Sequence, residues 1–126
     1  MVNAISQWSV FVLYSILIYV DEDKVAEMTP EEEDAHIAQH LKVHDRLRPQ
    51  GKLGPVVRLE PTSTAKRLHT DRELRVLDGP FAETKEQLLG FYIVDCETEE
   101  EALSIARSLP SIGTIFEVRP VKRIFN

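Results

Sequence analysis

The chain has 126 residues, 43% of them hydrophobic and 29% charged, with one cysteine. This describes one globular domain over 1–126, large enough to bury its own core; a disulfide scaffold is excluded because Cys96 has no partner. A net charge of −6, from 21 acids against 15 bases, argues against nucleic acid as a partner, and the composition points to a cytoplasmic protein.

Residues Met1 to Val20 carry no charge, yet Asn3, Ser6, Gln7 and Ser9 shorten the apolar run to about Val10–Val20. That is too short to span a membrane, and the segment lacks the basic start and cleavage site of a secretory signal. Its β-branched and aromatic residues predict a buried first strand behind a polar arm over 1–10. Thr29-Pro30-Glu31-Glu32 is a capping box with Pro at the first helical position, so a helix is predicted from Pro30 to Arg48, ended by Pro49 and Gly51. A short strand over Pro55–Leu59 follows, then a hairpin of Thr64–Thr70 and Glu73–Leu77 turning at Asp71-Arg72. Leu88–Cys96 reads as a strand, Thr98-x-x-Glu101 opens a second helix that Pro110 ends, and Thr114–Val121 is the last strand. The order predicts an α+β fold with a mostly antiparallel sheet. The first strand and Leu88–Val94 are apolar nearly throughout, so both sheet faces should be covered. Two helices cover one face, and a second copy of the chain is expected on the other, as a homodimer.

On a helical wheel Ile37, Leu41, Val43 and Leu47 share one broad face of the first helix. His40 and His44 project from the middle of it, and His36 lies at its edge. Three readings compete: core histidines with hydrogen-bond partners, a metal site from the i,i+4 pairs, or a pocket histidine acting as acid or base. The metal reading is the weakest, since no supporting motif or second ligand cluster accompanies the histidines. Spacing leaves the other two open. Cys96, ending an apolar strand, reads as an inert small hydrophobe.

Asp78-Gly79-Pro80-Phe81-Ala82-Glu83-Thr84-Lys85-Glu86, followed by Gly90-Phe91-Tyr92, is the most distinctive stretch. Asp-Gly-Pro is turn chemistry, with Gly79 allowing a positive φ or a close backbone approach. The stretch resembles the signature of DGPF-type proteins in the YCII-related family, and the likeness extends over most of the chain, through Tyr14–Tyr19, His40 with its helix, Leu88–Pro110 and Glu117–Pro120. The resemblance implies a ferredoxin-like fold, with two helices on one face, that pairs as a dimeric α/β barrel. Relatives of this architecture include lactone isomerases, oxygenases and a dehalogenating lyase type. Carried over by position, His40 matches the helix histidine and Asp78 the motif aspartate, a catalytic pair facing one pocket. Phe81, Glu83, Lys85, Phe91 and Tyr92 are the candidate substrate-binding residues, with no metal and no cofactor expected. His36, His44 and the arm over 1–10 depart from the family pattern. Two functions stand: a cofactor-independent small-molecule lyase or isomerase, or a non-catalytic ligand-binding or regulatory module tied to the sigma factors whose genes accompany DGPF proteins.

Overall fold

The computed structural model describes residues 12–71, 73–81 and 85–125. The expected arm over 1–10, with Trp8, and the motif residues Glu83 and Thr84 lie outside them. The strands are β1 (Val12–Asp21), β2 (Leu53–Arg58), β3 (Lys66–His69), β4 (Arg75–Asp78), β5 (Glu86–Cys96) and β6 (Ile115–Pro120). The helices are α1 (Glu22–Ala26), α2 (Pro30–Leu47) and α3 (Glu99–Ser108).

Four strands form one sheet in the order β2-β5-β1-β6, every neighbouring pair antiparallel. Two crossovers produce that order: α2 carries the chain from β1 past β5 to β2, and α3 carries it from β5 past β1 to β6. This is the interleaved split βαβ arrangement of a ferredoxin-like fold. β3 and β4 form a separate two-stranded sheet in which Lys66 faces Asp78 and Leu68 faces Val76.

Burial alternates along β1. Tyr14, Ile16, Ile18 and Val20 are buried, while Leu13, Ser15, Leu17 and Tyr19 are only partly covered. The buried set meets Tyr92, Val94 and Cys96 of β5, Val43 and Leu47 of α2, and Ala102, Ile105 and Ala106 of α3. Ile16 and Val94 are fully enclosed, each contributing roughly 1.5–3 kcal/mol by leaving water. α2 and α3 lie side by side on this face. The Gln39 amide donates to the Ser108 carbonyl at 3.3 Å, and the Arg46 guanidinium donates to its hydroxyl at 3.0 Å.

Local start signals act as the sequence predicts, with one difference. At Thr29 the box is complete: its hydroxyl accepts from the Glu32 amide and the Glu32 carboxylate accepts from the Thr29 amide, which holds the Glu32 pKa down. At Thr98 only the hydroxyl half forms, accepting from the Glu101 amide. The Glu101 carboxylate instead accepts from the Glu97 amide and from Lys52 Nζ at 2.5 Å, which ties α3 to the start of β2. Thr29→Ala is therefore expected to lower Tm by about 3–5 °C in thermal unfolding, and Thr29→Ser to restore it. α1 was missed in the sequence, although Asp21, which caps it by accepting from the Asp23 amide, was visible there.

Candidate functional site

α2 stacks His36, His40 and His44 along one line, because residues four apart lie one above the other on a helix. The imidazole centroids are 5.5 Å apart for His36 and His40, and 6.3 Å for His40 and His44. Beneath them stands Tyr92 of β5, 1% exposed, with its ring stacked against that of His40 at 5.8 Å. Its hydroxyl lies 2.6 Å from His40 Nδ1 and 2.7 Å from His44 Nε2.

A phenol has one proton, so Tyr92 donates to one of these nitrogens and accepts an N–H from the other. The two histidines are thus held in complementary tautomers. When Tyr92 donates to His40 Nδ1, His40 carries its proton on Nε2. When Tyr92 accepts from Nδ1–H, His40 Nε2 is a free base. Among the described residues Nε2 of His40 has no hydrogen-bond partner, so it is the atom left for a ligand.

The surroundings favour neutral rings. Burial, then the neighbouring His36 and His44, and then Arg58 push His40 down to about 4. His36 is lowered by burial and by Arg58, and His44 by burial and by Arg48. Burial raises the Tyr92 hydroxyl, which stays protonated. Burial also drives the Cys96 thiol up to about 12, so the cysteine is the inert hydrophobe the sequence predicts.

The histidines open into a cleft of about 240 Å3 between α2 and the β2–β5 pair. Its apolar wall comes from Ile18, Ile37, Leu41, Val56 and Leu89, and Arg58 stands at its edge. The helical wheel placed Ile37 and Leu41 with the core residues. Here only Val43 and Leu47 reach the core, while Ile37 and Leu41 remain 44% and 52% exposed as the cleft wall. Two features of β5 shape this floor. The β1–β5 register slips between Ile18 and Tyr19, leaving Leu89 as an extra residue that turns into the cleft. Gly90 lets β2 approach, since a Cβ there would sit 2.1 Å from the Val57 carbonyl oxygen.

The sequence-predicted residues fall in different places. His40 and Tyr92 meet in the cleft. Asp78 does not join them: it ends β4, exposed, in an ion pair with Lys66 at 2.7 Å, and is absent from the cleft lining. His40 hydrogen-bonds to Tyr92, which also reaches His44, while Asp78 lies in the separate β3–β4 sheet. Phe91 immediately precedes Tyr92 in the strand, so it turns to the opposite face, opposite Leu17. Phe81 lies under the Arg67 guanidinium at 4.0 Å, and Lys85 reaches Asp21 at 3.7 Å; neither lines the cleft. Gly79 answers to close approach, since a Cβ there would lie 2.2 Å from the Thr62 carbonyl oxygen. His44 and Arg58 were not singled out in the sequence as site residues. The i,i+4 spacing from His40 was the available signal for His44, whereas Arg58 had none. No group of three or more His, Cys, Asp or Glu side chains among the described residues could hold a metal ion. No helix among them is long and apolar enough to cross a membrane.

The chain is 47% identical over 114 residues to an uncharacterised protein of Rhizobium meliloti (strain 1021), covering 86% of this chain and 91% of that one. The model of the YCII-related domain matches residues 12–124. The chain belongs to the YCII-related family.

Proposed function

We propose that this protein is a cofactor-independent small-molecule lyase or isomerase in which His40 moves a proton. The observation that carries the reading is the Tyr92 hydroxyl held between His40 Nδ1 and His44 Nε2 at the base of an open cleft. His40 Nε2 takes a proton from the bound molecule, Nδ1–H passes its own to the Tyr92 oxygen, and the phenol proton moves to His44 Nε2. Reversal returns the proton to another carbon in an isomerisation, or to the departing group as its bond to carbon breaks in an elimination. Tyr92 and His44 orient the base, the role the sequence reading gave to Asp78. A cleft of about 240 Å3 is below the usual range for large ligands, which fits a metabolite of one ring or a short chain.

The test is solvent exchange. A panel of lactones and 2-oxo acids incubated with the protein in deuterated water is expected to yield one class whose carbon-bound proton is exchanged. His40→Ala should lower that exchange by roughly two orders of magnitude or more. A compound that binds without exchange in any variant supports the ligand-binding reading instead.

We also propose a two-fold homodimer with the sheets packed face to face. The partly covered residues Leu13, Leu17 and Tyr19 lie on the side away from α2 and α3, an apolar surface suited to a second copy. Sedimentation at micromolar concentration should give twice the chain mass of 14.4 kDa, and a stable monomer would refute the pairing.

A further inference from the structure

Arg58, at the end of β2, lines three adjoining hollows. These are the His40 cleft, a pocket of about 50 Å3 behind His36, and an open groove of about 690 Å3 running past Glu60 and Thr62. On the cleft side its polar neighbours are imidazoles, which feel it as a like charge. On the groove side lie Glu22, Asp23, Glu33 and Glu60, and Glu33 also lines the small pocket behind His36. Among the described residues none of these carboxylates forms an ion pair with Arg58. Glu22 is already engaged, accepting from both the amide and the hydroxyl of Thr62.

A guanidinium at the lip of an apolar cleft, faced by neutral imidazoles, is a ready anchor for one planar anion, because its fork matches a carboxylate. A multiply charged anion is disfavoured by the acids of the groove and by the net charge of −6. We propose that the cleft binds a small carboxylic acid, its carboxylate on Arg58 and His36 and its apolar body against Ile37, Leu41, Val56 and Leu89. This rests on the reading of the cleft as a small-molecule site and names the class of molecule it takes.

The experiment is a calorimetric titration of the full chain with benzoate and with benzamide, the same ring with and without the charge. Benzoate is expected to bind at least about tenfold more tightly. Arg58→Gln should erase that preference, and Arg58→Lys should keep part of it; Arg58 is exposed, so neither change touches the core. The imidazole resonances of His36 and His40, followed in the same titration, should shift with benzoate. Equal binding of acid and amide, binding of neither, or a preference that survives in Arg58→Gln overturns the carboxylate assignment. Arg58-dependent binding that leaves both imidazoles unmoved also overturns it, since the acid would then occupy the groove. None of these results touches the proton-transfer reading, which stands or falls on solvent exchange in His40→Ala.

Discussion

Replacing Gly90 with Ala is expected to destabilise the domain by on the order of 3 kcal/mol, with Tm falling by roughly 10 °C. A Cβ on Gly90 would lie 2.1 Å from the Val57 carbonyl oxygen and 3.2 Å from the Arg58 Cα, all of it backbone. A flexible side chain could swing aside, but backbone held in a sheet cannot. The change must push β2 away from β5 near the pairs of Val57 with Phe91 and Arg58 with Gly90. β2 is an edge strand, so the rest of the sheet should survive and the damage should concentrate at the cleft, which Val56, Val57 and Arg58 line. Thermal unfolding measures the first effect. Hydrogen exchange measures the second: faster exchange confined to β2 and the facing part of β5 is the expected pattern, and unchanged protection there would contradict it. Gly51 supplies a contrast. Its φ of 69° makes any side chain strained, but nothing lies within 4 Å, so Gly51→Ala should cost only about 1 kcal/mol.

Lowering the pH from 6.5 toward 4 is expected to weaken the fold through His40. Above about 6.5 the ring is neutral in both folded and unfolded chains and contributes no pH dependence. Between about 6.5 and 4 the unfolded chain takes up a proton that the folded site refuses, so stability falls as pH falls; below about 4 the loss levels off. The full effect is at most about 3 kcal/mol. His36 and His44 are lowered too and add to the loss in the same direction. The physical reason is burial first: the enclosed ring cannot hydrate a charge, and His36, His44 and Arg58 add like-charge repulsion. Urea unfolding at pH 7.5 and pH 5 reads the difference. His40→Asn, which keeps a short polar group at the Nδ1 position, should flatten the profile between those values. A profile unchanged by that substitution would show that other groups carry the pH dependence. Carboxylates such as Glu101 titrate lower, from an ordinary value of 4.5, so the window above pH 5 belongs to the histidines.

How much of this was legible beforehand differs from element to element. The ends of α2 were readable to within a residue of Leu47, because the Thr29 box, Pro30, Pro49 and Gly51 act through local hydrogen bonds and local sterics. β1 and β5 were readable from their apolar, β-branched composition, and the antiparallel α+β class followed from the order of elements. The inward histidines were visible as a problem on the wheel, but the wheel could not say what they met. It has no information about the far side of the cleft, so Ile37 and Leu41 looked like core.

By itself the sequence determined the strands, the two longer helices and their start signals, and the presence of His40 on an inward-facing stripe. These elements and start signals depend on residues within a few positions of one another, where spacing translates directly into geometry. Only the tertiary structure decided the partners. Tyr92 stands 52 residues from His40 and 48 from His44, and the β5 register that lifts its hydroxyl between them is set by pairing with β1. Asp78, in the most distinctive motif of the chain, was carried elsewhere because β3 and β4 close on each other rather than on the main sheet. Arg58 became a cleft residue only because Gly90 lets its strand come close. Long-range pairing chooses which side chains share a cleft, and no local pattern encodes that choice.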